Sequence, residues 1–556
     1  MTGEERRQSA TPPTSAAAGV LTLCLIFTAL AACGAARSDP VRLAVDGEPV
    51  VFSYDVFTVE DVERAAQIGF NVVLGSHAVA RHQLNANTAI GAAIARAGMK
   101  VMYPTMHFIG GPTLAEAVGP RETTIPVTEP GLRAPTVIQL DDELIRVRRI
   151  EQGRLLDCER GYRGTRPMAH RRAMFVFEPD RAAAEIRAVC RSPQLWGYYM
   201  VDDPPGDCYS ALKAAYAVVR REDRDEHGRP YGHPVCMGGG GFDTWPNFGP
   251  GVADVLVWYF YPMRTWGYDR VWMHRGIQQA LVESRWRVPG IPFIGVCQTF
   301  SMEKGWPGPS ADQIRLQAED YLRQGAVGLG AYTCQTRQDL ITGWNSRPEL
   351  WAGLNALYTD YRRGQLKLGP APDMPPDAFF MPPTAAKPTE IPGVVRRWRV
   401  MGPFDNTDRR GFDEIVYPPE RGVDLNATLP GLGGPVRWRT ADTVGPFGRL
   451  DLQRAVGFGD YRLAYVTCIV VSARPRSLQL RLGHDDDAAA WLGGALVARK
   501  RVGQVLYPDQ TIVPVELPAG QTRLLVKVAN QKGGWGVCAR FTEPDGRPAA
   551  GLRFGL

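Results

Sequence analysis

Between about residues 45 and 365 the chain alternates short, continuously apolar runs with segments whose apolar residues recur at helical spacing. The apolar runs occupy residues 50–57, 70–74, 100–108, 195–201, 234–238, 255–261, 292–300 and 326–332. Parallel strands covered on both faces are apolar throughout rather than alternating, as in Ala326-Val327-Gly328-Leu329-Gly330-Ala331-Tyr332. The intervening segments carry helix signals. Thr58 precedes an apolar face of Val59, Val62, Ala65, Ala66 and Ile68, Asp61 stands three residues after the Thr as in a capping box, and Gly69 ends the segment. Ser310, Gln313, the face Ile314, Ala318, Tyr321 and Leu322, and Gly325 repeat the pattern. Eight such strands predict an α/β fold, a (β/α)8 TIM barrel over 41–365. A doubly wound open sheet is the alternative, but no Gly-rich phosphate turn follows the first strand.

Two stretches break the rhythm. Residues 112–176 alternate in strand fashion with turn residues between, and read as a small β-module inserted after the third strand. After residue 365 the chain becomes Pro-rich over 366–392, a linker, and 393–556 is β-rich with no convincing helix, which predicts a C-terminal all-β jelly-roll sandwich. A length of 556 residues suits two or three domains. The formal charge of +6 forms no basic block, so nucleic acid is not an expected partner. The ten cysteines include no C-x-x-C pair and no zinc spacing, and those in apolar runs, such as Cys236, Cys297 and Cys334, read as buried thiols, with a distant disulfide as the alternative.

At the N-terminus, Arg6 and Arg7 precede a short apolar core that ends in Leu30-Ala31-Ala32-Cys33-Gly34. This resembles the lipobox of bacterial lipoprotein signal peptides. The resemblance implies a signal segment over 1–33, lipidation at Cys33 and an exported protein held at the cell envelope, on the outer membrane or cell surface. A plain secretory signal or an uncleaved anchor is the alternative. No later run is long enough to cross a bilayer.

In a barrel of this kind chemistry is placed at the C-terminal ends of the strands. The fourth strand ends Gly197-Tyr198-Tyr199-Met200-Val201-Asp202-Asp203-Pro204, the sixth runs from Asp254 to Tyr261-Pro262, and the seventh ends Gln298-Thr299-Phe300. These ends resemble the G-Y-Y-x-x-D-E-P, D-x6-Y-P and Q-x-F patterns of glycoside-hydrolase-like barrels. The resemblance implies a glycoside hydrolase acting on O-glycosyl bonds of extracellular polysaccharide or oligosaccharide. Where that clan has two Glu residues, this chain has Asp203 and Gln298, and a neutral amide cannot serve as nucleophile. A glycosidase needs two carboxylates. Asp203 is the expected acid, with Asp202, Asp55, Asp243 and Glu303 as candidate partners. Tyr54, Trp258, Tyr259, Tyr261, Trp306, Tyr332 and Trp344 lie at or near strand ends as candidate sugar platforms, and Gln298, His107 and His77 as candidate hydroxyl ligands or carboxylate partners.

Two further resemblances concern the added parts. Arg160-Gly161-Tyr162-Arg163-Gly164-Thr165 with His170 resembles a short β-module of phage structural and surface proteins, which implies a spacer shaping one rim. Trp398–Phe404 (W-x-x-x-G-P-F), Asp486–Gly494 and Leu524–Asn530 resemble galactose-binding-like domains. That likeness implies an accessory domain in which His484-Asp485-Asp486-Asp487 is a candidate structural Ca²⁺ site, and otherwise a solvated turn. No other cofactor is expected. A catalytically inactive carbohydrate-binding lipoprotein, or a structural one, is the alternative to the hydrolase.

Overall fold

The computed structural model describes residues 43–374 and 391–556, except 110, 129–130, 205–207, 240, 265–266, 303–305 and 338–339. Cys33, Glu303 and most of the Pro-rich stretch lie outside the described residues, as does the side chain of Asp243. Among the described residues no helix is long and apolar enough to cross a membrane.

All eight expected strands form, as β1 (Glu48–Tyr54), β2 (Val72–Leu74), β3 (Lys100–Pro104), β4 (Leu195–Val201), β5 (Val235–Gly239), β6 (Val255–Trp258), β7 (Phe293–Gln298) and β8 (Gly328–Tyr332). Each pairs in parallel with the next, and β8 pairs with β1 at Gly328↔Val50, which closes the barrel. Around it lie α1 (Val59–Ile68), α2 (His77–Gln83), α3 (Ala89–Arg96), α4 (Pro179–Val189), α5 (Tyr209–Glu222), α6 (Arg270–Arg287), α7 (Ala311–Arg323) and α8 (Trp351–Arg362). The helix starts form where the sequence places them. Thr58 accepts from the Asp61 amide while Asp61 accepts from the Thr58 amide, both at 3.1 Å, and Gly69 ends α1 at φ 101°. Ser310 and Gln313 do the same for α7.

Side chains alternate along the strands between two apolar layers. Val50, Phe52 and Tyr54 of β1, with Leu74, Met102, Trp196, Tyr199, Val257 and Val296, fill the barrel interior. Val51, Val73, Val101, Leu256 and Trp258 face the helices. Leu195, Trp196 and Gly197 carry a register shift against β3, and a second shift lies between Tyr199 and Val201 against β5. The first of these bulges puts Trp196 and Tyr199 on the same interior face although they stand an odd number of residues apart.

The inserted module has its own apolar cluster, built from Leu114, Ile125, Ile138, Ile145, Val147, Leu155 and neighbours. Its signature residues converge on one buried carboxylate. Glu143 accepts from Arg160 at 2.7 and 2.8 Å, from the Gly161 and Met168 amides at 3.0 Å, and bonds His170 Nε2 at 2.8 Å. Burial alone would raise the Glu143 pKa, but these donors outweigh it and hold the group down at about 2.

Besides a two-stranded ribbon of Thr428–Gly431 with Gly434–Arg437, the C-terminal region holds two larger antiparallel sheets. One contains β9 (Arg397–Asp405), β10 (Arg462–Ser472), β12 (Asp487–Leu492) and β14 (Gly520–Ala529); the other contains β11 (Arg476–Asp485), β13 (Thr511–Leu517) and β15 (Gly536–Thr542). Trp398, Val466, Leu480, Ala490, Val526 and Val537, drawn from both sheets, share one buried cluster. Helix α6 packs between barrel and sheets. Met273, Ile277 and Leu281 belong to a cluster that also includes Val394, Phe447, Leu506 and Cys538, and Gln279 Nε2 donates to the Pro508 carbonyl at 3.1 Å. The eight described cysteines are all buried, as their apolar neighbours predict.

Candidate active site at the barrel mouth

Two aspartates end barrel strands in the left-handed backbone region, Asp55 after β1 at φ 59° and Asp203 after β4 at φ 43°. Asp tolerates this conformation better than most residues, at a cost of about 1 kcal/mol, and each turns the chain sharply at the rim. Thr333 Oγ1 donates to Asp55 Oδ2 at 2.6 Å, and the Arg337 guanidinium does so at 2.7 Å, so the loop after β8 fixes this carboxylate. The Cys334 amide, donating to the Tyr54 carbonyl at 3.1 Å, ties the same loop to the end of β1.

Asp202 stands on the interior side. Tyr199 Oη donates to Asp202 Oδ1 at 2.7 Å, and Tyr54 Oη lies 2.6 Å from Tyr199 Oη. Because the single Tyr199 proton goes to the carboxylate, Tyr54 is the donor to Tyr199, giving a relay of two phenols that ends on Asp202. Burial pushes both phenols well above their ordinary pKa, so they remain protonated donors. Desolvation also raises Asp202 to about 6, with the Asp203 and Asp55 charges adding to the rise and the Tyr199 and Tyr259 hydroxyls opposing it. Gly238 of β5 makes room for this relay: a Cβ there would overlap the Tyr199 hydroxyl and crowd Asp202.

The mouth is a cavity of about 800 Å³ lined by Asp203, Tyr259, Tyr261, Trp272 and Trp306 from the barrel side and by Gln504, Tyr507 and Gln510 from the C-terminal region. That size falls within the range of ligand clefts. Its aromatic wall is continuous. Tyr261 stacks on Tyr259 at 5.7 Å and on Tyr332 at 6.0 Å, meets Trp306 edge-on at 6.0 Å, and Tyr332 meets Tyr54 at 5.3 Å. On the far side Tyr507 packs edge-on against Trp272 at 6.1 Å. A second cleft of about 770 Å³ lies between the loop after β5, the end of α6 and the all-β region, but Asp203, which lines the mouth, does not line it.

The structure therefore lines the mouth with Asp203, Tyr259, Tyr261 and Trp306, places Tyr54, Asp55, Asp202 and Tyr332 just beneath or beside them, and removes five other residues from it. The acid-like surroundings expected for Asp203 belong to Asp202, since Asp203 is exposed and its neighbour is the desolvated one. Trp258 is buried against Phe293 at 4.2 Å in the strand–helix layer, because β6 turns it outward. Trp344 is buried on Phe70 and donates to Ser53 at 3.0 Å. Gln298 is fully buried and its amide is used internally, accepting from the Met263 amide at 3.2 Å and donating to the Phe300 carbonyl at 3.3 Å. It orders two loops and presents nothing to a ligand. His107 and His77 lie to one side, on Glu185, at 3.0 and 2.9 Å. Sequence reasoning missed Tyr199, Thr333, Arg337 and the whole wall from 503–510.

The calcium expectation is also corrected. Asp487 is engaged by the Arg409 guanidinium, with Nε at 3.0 Å, and by the Val502 amide at 2.8 Å, while Asp486 accepts from the Gln531 amide at 2.7 Å. A guanidinium and backbone amides thus engage Asp486 and Asp487, and residues 484–487 are buried rather than a solvated turn.

No protein-family model matches the chain, and no curated protein matches it. Similar solved structures include a β-galactosidase from Rahnella sp. R3 (11% identity, TM-score 0.35, 58% of this chain and 57% of that one). Others are an endo-β-1,4-mannanase from Thermotoga petrophila (10%, 0.33, 86% and 99%) and a pyruvate kinase from Cryptosporidium parvum (10%, 0.30, 60% and 76%). The chain thus spans little more than half the length of the Rahnella enzyme. At these scores the likenesses carry no argument about chemistry, which rests on the residues of the mouth.

Proposed function

We propose that the chain is a glycoside hydrolase acting on extracellular poly- or oligosaccharide, exported and held at the cell envelope through lipidation of Cys33. The observation that carries this reading is the pair of carboxylates at the strand ends in different surroundings, Asp202 desolvated on the interior side and Asp55 held by Thr333 and Arg337, beside a wall of tyrosines. Environments that separate two carboxylates in this way divide acid from base. In the proposed reaction Asp202 gives its proton to the leaving glycosidic oxygen as the bond to the anomeric carbon breaks. Water adds to that carbon and passes a proton to Asp55. Exposed Asp203 hydrogen-bonds a sugar hydroxyl, and Tyr261, Trp306 and Tyr507 supply flat faces for pyranose rings. The all-β region, galactose-binding-like in its sequence motifs, acts here as the second wall of the cleft.

A second reading, a carbohydrate-binding protein without turnover, is favoured by one observation: Gln298 stands buried and neutral at the end of β7. Glycan-array binding of the full-length chain, with Tyr261→Ala and Trp306→Ala alongside, tests the part common to both readings. Binding to a defined set of glycans that each variant weakens about tenfold or more is expected, at about 1–1.5 kcal/mol for each lost aromatic face. Absence of glycan binding, or binding indifferent to both substitutions, would overturn it.

A further inference from the structure

Beside the mouth lies a cluster that the hydrolase reading does not use. We propose that His77, His107 and Glu185 bind one divalent transition-metal ion of the zinc type. The three residues come from separate elements: the first residue of α2, the turn after β3, and the middle of α4. His77 Nε2 lies 2.9 Å from Glu185 Oε1 and His107 Nε2 lies 3.0 Å from Oε2, and the ring centroids of the two imidazoles are 3.9 Å apart. The three donor atoms all lie within 4.8 Å of one another, the only such group of His, Cys, Asp and Glu among the described residues.

Two imidazole nitrogens and one carboxylate form a donor set that suits zinc, and three protein ligands leave a position for water. With bonds of about 2.0–2.1 Å, ligand atoms of a tetrahedral site stand roughly 3.3 Å apart. Each His–carboxylate contact therefore needs to open by only a few tenths of an ångström to admit the ion. Exposure runs in the right direction: the Glu185 side chain is 5% exposed, His107 26% and His77 39%, so the open face points to solvent. Tyr103 Oη, donating to Glu185 Oε1 at 2.9 Å, supplies the outer contact that orients a ligating carboxylate.

One group opposes the ion. Arg81 Nη2 lies 3.2 Å from Glu185 Oε2, but its side chain is 55% exposed and has room to swing into water. The cation that serves Glu185 in the empty state thus gives way to the metal, and removing it should tighten binding. The site is independent of the hydrolase reading, since neither histidine lines the mouth cavity.

The test uses the untagged full-length chain, stripped with a chelator and titrated with Zn²⁺ alone by calorimetry, and with Co²⁺ by visible absorption. One ion per chain and a tetrahedral Co²⁺ spectrum are expected. His77→Ala and His107→Ala should each weaken binding by about tenfold or more, and Arg81→Met should strengthen it. Each variant's melting curve establishes that it remains folded. No stoichiometric uptake at micromolar Zn²⁺, or uptake that survives both histidine substitutions, would overturn the proposal and leave the cluster as a hydrogen-bonded clasp between two rim loops and α4.

Discussion

Replacing Asp202 by Asn should change how stability depends on pH, without any substrate being present. In the native protein desolvation raises this carboxyl to about 6 from an ordinary value of 3.8. Below about pH 3 the group is neutral in both folded and unfolded chains and contributes no penalty. As pH rises from there, the unfolded chain ionises first while the native carboxyl keeps its proton, so native stability falls. The loss is complete once pH passes the folded pKa, and at about 1.4 kcal/mol per pH unit it amounts to roughly 3 kcal/mol at most. Asn cannot ionise and keeps an oxygen for the Tyr199 hydroxyl. The stability of Asp202→Asn relative to the unsubstituted chain should therefore climb by about 2–3 kcal/mol between pH 4 and pH 7.5. Guanidinium unfolding of both proteins at half-unit pH intervals measures this difference directly. A difference that stays flat over that interval would mean an ordinary, well-solvated carboxyl, and the argument for a poised acid at the mouth would fail with it.

Other substitutions probe the same account from different sides. Gly238→Ala should cost about 1–3 kcal/mol and, in an active protein, lower kcat, because the new methyl displaces Tyr199 and Asp202; unfolding curves and a turnover assay read the two effects. Tyr507→Ala, far from the strand ends in sequence, should weaken glycan binding about tenfold while leaving the melting temperature of the barrel nearly unchanged. Glu143→Gln strips the charge that Arg160 and His170 face, and should destabilise the inserted module by about 3–5 kcal/mol, seen as proteolysis within 112–176 while the barrel persists. Because Glu143 is held at about 2, its contribution is present above the ordinary carboxylate range and is lost as pH falls through 2, so acid should loosen this module in the unsubstituted protein and not in the variant.

The barrel was legible because each strand is covered on both faces and so reads as an unbroken apolar run, and because Thr58, Ser310 and Gly69 mark helix ends by their own chemistry. Tyr54 was named from its place at a strand end, and alternation with Val50 and Phe52 turns it into the barrel interior. Tyr199 was not, since a bulge at Leu195–Gly197 of β4 shifts the alternation and no residue in the strand announces it. Trp258 and Gln298 were misplaced because a pattern of strand ends gives the end but not the direction of each side chain: β6 stops at Trp258, and the useful tyrosines lie just past it. Helix α6 lacks a one-sided apolar stripe because it is buried between barrel and sheets, and with that contact hidden the wall formed by residues 503–510 was hidden as well. The galactose-binding-like resemblance implied a cation at His484–Asp487; Arg409, distant in sequence, places its positive charge on Asp487 instead.

The most direct test of the central claim is the release of reducing ends from a broad polysaccharide panel by the full-length chain, with Asp202→Asn and Asp55→Asn measured beside it. The account predicts turnover of at least one substrate, reduced by about a hundredfold or more in each folded variant, as loss of an acid or base requires. Turnover that either substitution leaves intact, or no turnover of any glycan the chain binds, would contradict a hydrolase built on these two carboxylates.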